Sequence, residues 1–142
     1  MAERLRSGSH LSNLVDACNR CSAVFRIATE RLHDDSFEDF SDHLRETLDR
    51  FVFELEKESR RLGAEDVENL RIYDMQVNST NPTSLRIQAS SELRHALEGY
   101  DNLLARGLPG HARAMMQRQR QALMVLVRDF EQLTQRYTPS ML

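Results

Sequence analysis

The sequence predicts an all-α protein, folded as an antiparallel four-helix bundle that forms one domain over residues 1–142. Apolar residues recur every three or four positions along four segments, which is the period of one face of an α-helix. Helix breakers are scarce, with 5 glycines and 3 prolines, whereas Leu, Arg, Glu and Ala lose little side-chain freedom in a helix. Two short breaks and one long break between the segments indicate two helical hairpins joined by a crossover.

The first helix is predicted over residues 11–32. One stripe of its helical wheel carries the side chains expected to face the core: Leu11, Leu14, Val15, Cys18, Ser22, Phe25, Thr29 and Leu32. The run His-Asp-Asp-Ser over residues 33–36 breaks this segment and supplies a new N-cap. Ser36 followed by Asp39 resembles a capping box with Asp in place of the usual Glu, so we expect the next helix to begin at Ser36.

The second helix, over residues 36–62, has the clearest pattern. Its apolar residues recur at spacings of three and four: Phe37, Phe40, Leu44, Leu48, Phe51, Val52, Leu55 and Leu62. Gly63 stands where a left-handed C-cap is expected. The periodicity then fails over residues 64–83, which contain the loop signal Asn-Ser-Thr-Asn-Pro. We interpret this stretch as the crossover between the two hairpins, because a connection of about twenty residues is unusually long for a compact domain.

The third and fourth helices are predicted over residues 84–106 and 111–137, separated by the sharp break Gly-Leu-Pro-Gly. The inward residues of the third helix are Leu85, Ala89, Leu93, Ala96, Leu97, Tyr100, Leu103 and Leu104. Those of the fourth are Ala112, Met116, Gln119, Leu123, Leu126, Phe130, Leu133 and Tyr137.

Gln119 falls at the centre of the fourth apolar stripe. A buried amide needs hydrogen-bond partners, and Thr29 on the first helix is the partner that we expect. Polar residues in such seams often set the register of packed helices. The alternative is that Gln119 is a vestige of a lost metal-ligand position.

The composition, with 40% hydrophobic and 29% charged residues, is typical of a water-soluble domain. The formal net charge of −3 creates no field that would attract nucleic acid or anionic lipid. No apolar run approaches the roughly 18–20 residues that span a bilayer, and no secretory signal is recognisable at the N-terminus. We therefore predict a cytoplasmic protein with no nucleic-acid partner and no membrane insertion.

Cys18 and Cys21 have the spacing of a redox-active pair, but they fall in the middle of a predicted helix. Redox-active thiols are acidified at a helix N-terminus after a strand. We interpret this pair as small buried hydrophobes that stay reduced. A thiol switch, or a metal ion shared between subunits, is the alternative.

A carboxylate-bridged di-metal centre needs inward carboxylates from all four helices and a Glu-x-x-His motif from two of them. Such a motif occurs at Glu92-Leu93-Arg94-His95, but Glu92 and His95 both lie well off the apolar stripe of their helix. Only Glu58 comes near an inward face. The weak candidate ligands are Glu30, Glu58, Glu92 and His95. We predict no metal, no cofactor and no catalytic residue.

Several short stretches between residues 11 and 137 carry a family resemblance: Leu11-Ser12-Asn13-Leu14-Val15, Phe25-Arg26-Ile27-Ala28-Thr29-Glu30, Glu54-Leu55, Arg61-Leu62-Gly63, Ala96-Leu97-Glu98-Gly99-Tyr100 and Leu108-Pro109. They are similar to a bacterial family of ferritin-like four-helix domains of unknown function, related to rubrerythrin. Glu30 matches an acidic position of that family. The chain departs from the family pattern at Arg128-Asp129, where a His-Asp pair is expected, and in the crossover. The resemblance implies a ferritin-like bundle whose metal ligands are lost, in a stress-related or assembly-related bacterial setting.

We predict a non-catalytic helical interaction module, either a homo-oligomer or an accessory subunit of a larger bacterial assembly. Apolar residues outside the predicted core stripes are the candidate interaction residues: Val24, Ile27, Ile72, Tyr73, Met75 and Val125. The alternative is a ferritin-like di-metal oxidoreductase or metal-storage protein. A bundle that binds a small molecule, and is stabilised by it, is a third possibility.

Overall fold

The computed structural model describes residues 2–62 and 81–135, with side chains from residue 10 onward. Four helices are present: α1 over Ala2–Leu32, α2 over Asp35–Arg61, α3 over Pro82–Leu104 and α4 over Gly110–Gln135. No strand occurs in these residues. The predicted all-α class with four helices is therefore confirmed. The predicted start of α1 at residue 11 is wrong, because residues 2–10 are too polar to show an apolar stripe although their backbone is helical.

Each helix packs against two others. Within the described residues, α1 and α4 each contact both α2 and α3, so α1 and α4 lie at opposite corners of a square. The Oγ atoms of Ser12 on α1 and Ser59 on α2 are 3.3 Å apart, which places the end of α2 beside the first part of α1. Arg86, in the first turns of α3, forms an ion pair with Asp34, which follows α1. α2 therefore ends, and α3 begins, at opposite ends of the bundle.

The stretch predicted as a crossover, residues 64–83, lies outside the described residues except for its last three. Asn81 is the N-cap of α3, and its Oδ1 accepts hydrogen bonds from the backbone N–H groups of Thr83 and Ser84. Pro82 occupies the first turn, where a missing N–H costs nothing. The predicted start of α3 at residue 84 is therefore two residues late. Gly63 and Tyr137 also lie outside the described residues.

The N-cap of α2 is Asp34, and the prediction of Ser36 is wrong. His33 has a φ of 50°, in the left-handed region, which ends α1. Asp34 is extended, and its Oδ1 accepts hydrogen bonds from the N–H groups of Ser36 and Phe37 at 3.0 and 3.2 Å. Its Oδ2 accepts a hydrogen bond from Arg86 at 2.9 Å. The carboxylate caps α2 with one oxygen and binds the Arg86 cation with the other, and a serine hydroxyl has neither the second oxygen nor the negative charge.

We expect Asp34→Ala to lower the free energy of unfolding by about 2 kcal/mol, because it removes a helix cap and leaves Arg86 without this carboxylate. Ser36→Ala is the matched control. The Ser36 side chain is exposed, so we expect a change within about 0.5 kcal/mol. Urea unfolding followed by circular dichroism measures both. Equal losses in the two variants would contradict the assignment of Asp34 as the cap.

Small side chains bring α1 and α3 close together. Cys18, Cys21 and Ala28 of α1, and Ala89 and Ala96 of α3, are fully buried. A Cβ atom built on Gly99 would lie 2.9 Å from Cδ1 of Leu14, so the glycine permits this approach. The close packing of α1 and α3 places the Tyr100 ring inside the core, where it is fully buried.

Candidate functional site

Three large apolar side chains are strongly exposed among the described residues. Phe53 is 66% exposed, Ile87 is 64% exposed and Val125 is 47% exposed. The predicted position of Val125 outside the core is confirmed. Phe53 and Ile87 are not among the surface residues that periodicity predicts. A signal for Phe53 exists, because Phe51 and Phe53 are about 200° apart on a helix and cannot share one buried face.

An open groove with Val125 in its lining lies between α2 and α4, the least closely packed of the four neighbouring helix pairs. The groove has a volume of about 460 Å³. Its lining residues are His43, Thr47, Arg50, Phe51 and Glu54 from α2, and Arg118, Ala122, Val125, Leu126 and Asp129 from α4. Arg118 and Glu54 form an ion pair across it, and Phe53 lies beside Arg50 and Glu54 on its α2 rim. We call Phe53, Val125 and this groove the α2–α4 face.

The surroundings of Ile87 are different. It lies on α3 in a groove whose other lining residues are all polar: Thr83, Arg86, Ser90, Ser91, Arg94, His95, Glu98 and Thr134. α3 makes no packing contact with α2 in the described residues. Ile87 is therefore an isolated apolar residue, whereas Phe53 adjoins, through Arg50 and Glu54, the groove that Val125 lines.

The predicted exposure of Val24 is wrong, because this side chain is fully buried. Ile27 is half-buried and packs against the core, so it does not offer a free apolar surface either. Both errors have one physical cause: α1 packs against two helices, and its buried face is wider than a single stripe. Ile72, Tyr73 and Met75 lie outside the described residues.

The four weak metal-ligand candidates do not come together. Glu30 and His95 are exposed, and Glu92 forms an ion pair with Arg20 at 3.2 Å. A second Glu-x-x-His sequence, Glu30-Arg31-Leu32-His33, ends α1, and its Glu and His are both exposed. Across the described ranges 10–62 and 81–135, no group of three or more His, Cys, Asp or Glu side chains could hold a metal ion.

Glu58 is the candidate whose predicted inward position is confirmed, since it is 7% exposed. Its Oε1 lies 2.5 Å from Nε2 of His111 and 3.8 Å from Nε of Arg61. The other ring nitrogen of His111, Nδ1, lies 3.1 Å from a guanidinium nitrogen of Arg61. These contacts join the end of α2 to the start of α4, so Glu58 has a structural role at this end of the bundle.

A buried polar chain links three helices at the centre. The Tyr100 hydroxyl of α3 donates a hydrogen bond of 2.7 Å to Oε1 of Gln119 on α4. Sγ of Cys18 on α1 lies 4.0 Å from the same hydroxyl. Since the hydroxyl has one hydrogen and gives it to Gln119, the thiol of Cys18 is the donor to Tyr100. Burial raises the pKa of Tyr100, so the phenol stays protonated.

The predicted burial of Gln119 is thus confirmed, but its predicted partner is wrong. Thr29 donates its hydroxyl hydrogen to the carbonyl oxygen of Phe25, one turn earlier on α1, at 2.8 Å. A threonine in mid-helix commonly satisfies its hydroxyl in this way. The Tyr100 side chain is long enough to reach α4 from α3. Sequence periodicity predicts that its ring is buried but not which group its hydroxyl contacts, so it could not identify this partner.

Both cysteines are fully buried free thiols, as predicted. Burial raises the pKa of Cys18 to about 12, although the hydrogen bond with Tyr100 acts in the opposite direction. Burial also raises the pKa of Cys21, and the neighbouring Cys18 and Glu92 add to the rise. A thiol in such surroundings is uncharged near neutral pH and a poor nucleophile.

We expect Cys18 and Cys21 to react with iodoacetamide roughly 100-fold more slowly in the folded chain than in urea at mildly alkaline pH, because the thiolate is the reactive form. The mass of the alkylated protein over time measures this. Because the pKa of Cys18 is raised, the buried thiol stays protonated and the stability of the fold is unaffected by its ionisation below its ordinary pKa of 9.0. Above that pH the unfolded chain ionises first, so the fold loses stability as the pH rises towards about 12. Fast alkylation of the folded chain would contradict the buried state.

The sequence matches no protein-family model, and no curated protein is significantly similar to it. None of the described helices combines the length and the apolar character required to cross a membrane.

Proposed function

We propose that this chain is a non-catalytic helical interaction module that binds a protein partner through the α2–α4 face. The observation that carries the proposal is Phe53, 66% exposed next to Arg50 and Glu54, two residues that line the open groove together with Val125. Burying a phenylalanine side chain contributes about 1.5–3 kcal/mol. A few aromatic anchors surrounded by polar residues supply most of the affinity in many interfaces.

We propose that the module works in a bacterial assembly, as a homo-oligomer or as an accessory subunit, and in the cytoplasm. The two free buried thiols support the last point, since reducing compartments keep cysteines in this form. The proposal includes an antiparallel, ferritin-like arrangement of the helices. It is supported by the contacts of Ser12 with Ser59 and of Tyr100 with Gln119, which join early parts of one helix to late parts of another.

The α2–α4 face is favoured over the groove around Ile87 for a physical reason. The lining of the groove between α2 and α4 includes the apolar side chains Phe51, Ala122, Val125 and Leu126, whereas every other residue that lines the groove of Ile87 is polar and would have to be desolvated. Charged residues on the rim, such as Arg50 and Asp129, can add hydrogen bonds and specificity without contributing much affinity.

A photo-crosslinking comparison tests the proposal. p-Benzoyl-phenylalanine is placed at position 53 in one variant and at position 87 in another, because Phe53 and Ile87 are equally exposed and lie on different faces. After irradiation of cells that express each variant, we expect several-fold more protein adduct from position 53. Equal yields would count against the α2–α4 face.

A separate measurement addresses the alternative of a di-metal protein. Protein purified without added metal should contain far less than stoichiometric iron or manganese. Near-stoichiometric metal that is lost on Glu30→Ala or Glu58→Ala would overturn the proposal of a non-catalytic module.

A further inference from the structure

The exposed side of α2 is divided by charge. Its first half carries five exposed carboxylates: Asp35, Glu38, Asp39, Asp42 and Glu46. Its last part carries three exposed cations: Lys57, Arg60 and Arg61. The helix dipole favours acids in the first turn and bases in the last, but this effect fades beyond one turn. Asp42 and Glu46 lie beyond the first turn, so the dipole does not explain them.

Phe53 lies between the two charged parts, on the same side of the helix. On the helical wheel Glu46 and Lys57 lie on one flank of Phe53, at roughly 20° and 40° from it. Asp42 and Arg60 lie on the other flank, each at roughly 20°. Each flank therefore has an acid before Phe53 and a base after it.

An antiparallel copy of α2 satisfies this pattern. In two antiparallel helices related by a two-fold axis, side chains on the same flank and equally far from the axis face each other. With the axis near residue 51, Glu46 faces Lys57 of the partner subunit, and Asp42 faces Arg60 of the partner subunit. A parallel pair would bring acid against acid and base against base.

The same placement brings Phe53 close to its own copy. Two residues of helix rise about 3 Å, so the two phenylalanines are separated by roughly 6 Å along the helices, within the range of favourable ring pairs. Near the axis Asp49 and Arg50 approach their own copies, and Asp49 also comes level with Phe53 of the partner subunit, which is unfavourable. The ion pairs on the flanks, each present twice by symmetry, offset this repulsion.

We propose that the partner of the α2–α4 face is a second copy of this chain, packed antiparallel along α2 about a two-fold axis near residue 51. The inference rests on the proposed function and names its partner. The flanks select this register: after a shift of one helical turn the acids again come level with bases, such as Asp42 with Lys57 of the partner subunit, but the two lie on opposite flanks of Phe53.

Sedimentation equilibrium of charge-reversal variants tests this arrangement. We expect the wild type to form a dimer, and Glu46→Lys and Lys57→Glu each to weaken it about tenfold, because each replaces two attractive contacts by repulsive ones. The double variant Glu46→Lys/Lys57→Glu exchanges the charges and should recover dimerisation to within about threefold. Glu98→Lys, an equally drastic change at an exposed position of α3, is the control and should have no effect.

The outcomes separate the inference from the proposed function. If Phe53→Ser dissociates the dimer but the charge reversals leave it intact, the antiparallel register is wrong and the α2–α4 face remains the binding surface. A monomeric wild type whose position 53 crosslinks to other proteins would overturn the second copy and keep the interaction module. A monomer without adducts from position 53 would overturn both. Circular dichroism of every variant establishes that it is folded.

Discussion

Phe25→Ala lowers the free energy of unfolding by about 3–5 kcal/mol, the largest effect that we expect of a single substitution in this chain. Phe25 is fully buried, and its ring contacts three others. The Phe37 ring is nearly parallel to it, with the two centroids 5.5 Å apart, and the Phe130 ring is edge-on, with the centroids 5.2 Å apart. Phe40 packs at 5.9 Å. The cluster joins α1, α2 and α4 at one end, so a cavity there weakens three helices together.

Ile87→Ala is the matched control, because it also truncates a large apolar side chain to alanine, at a position that is 64% exposed and lies outside the α2–α4 face. We expect its free energy of unfolding to stay within about 0.5 kcal/mol of the wild type. Urea unfolding followed by circular dichroism gives both values. If Phe25→Ala does not fold, Phe25→Leu, with an expected loss of about 1–2 kcal/mol, provides the measurement. Equal effects at positions 25 and 87 would contradict the described packing.

The second large effect concerns the hydrogen bond between Tyr100 and Gln119. Tyr100→Phe leaves the ring in place but removes the donor from the buried amide oxygen, which costs about 2 kcal/mol. Gln119→Leu should cost less, about 1 kcal/mol. It leaves the phenol without its acceptor, but it also removes an amide nitrogen that has no hydrogen-bond partner among the described residues.

The double variant Tyr100→Phe/Gln119→Leu distinguishes a specific hydrogen bond from general packing. Replacing both partners by apolar groups of similar shape leaves only the weakly polar Cys18 thiol without its partner, so we expect stability within about 1 kcal/mol of the wild type. The double-mutant cycle in urea measures the coupling between the two positions. Losses that simply add would show that the two side chains do not act as a pair.

This polar chain also suggests why a glutamine stands in an apolar seam. Cys18, Tyr100 and Gln119 come from α1, α3 and α4, and their hydrogen bonds are satisfied together only in one relative placement of these helices. Apolar contacts tolerate sliding by a few ångströms, whereas a hydrogen bond inside a core does not. The alternative, that Gln119 is a vestige of a lost metal-ligand position, stays a prediction.

Some of the candidate site could be predicted from the sequence. Val125 lies off its apolar stripe and is exposed, and Glu58 lies near an inward face and is buried. In these helices the stripe and the buried face coincide. Periodicity failed at Val24, where a second neighbouring helix covers the side of α1 that a single stripe leaves open. It also did not single out Phe53, because this side chain follows Phe51 and Val52 in an apolar run, although among the described residues it is the strongly exposed aromatic one.

The sequence by itself determined the helical class, the number of helices and most of the core, because the 3.6-residue period is a local property that each helix carries alone. It did not determine the cap of α2, the partner of Gln119 or the open groove between α2 and α4. Asp34 is the better cap because Arg86 reaches it from α3, and Gln119 meets Tyr100 because α3 and α4 pack closely. Each of these features depends on distances between helices, and only the packed bundle sets those distances.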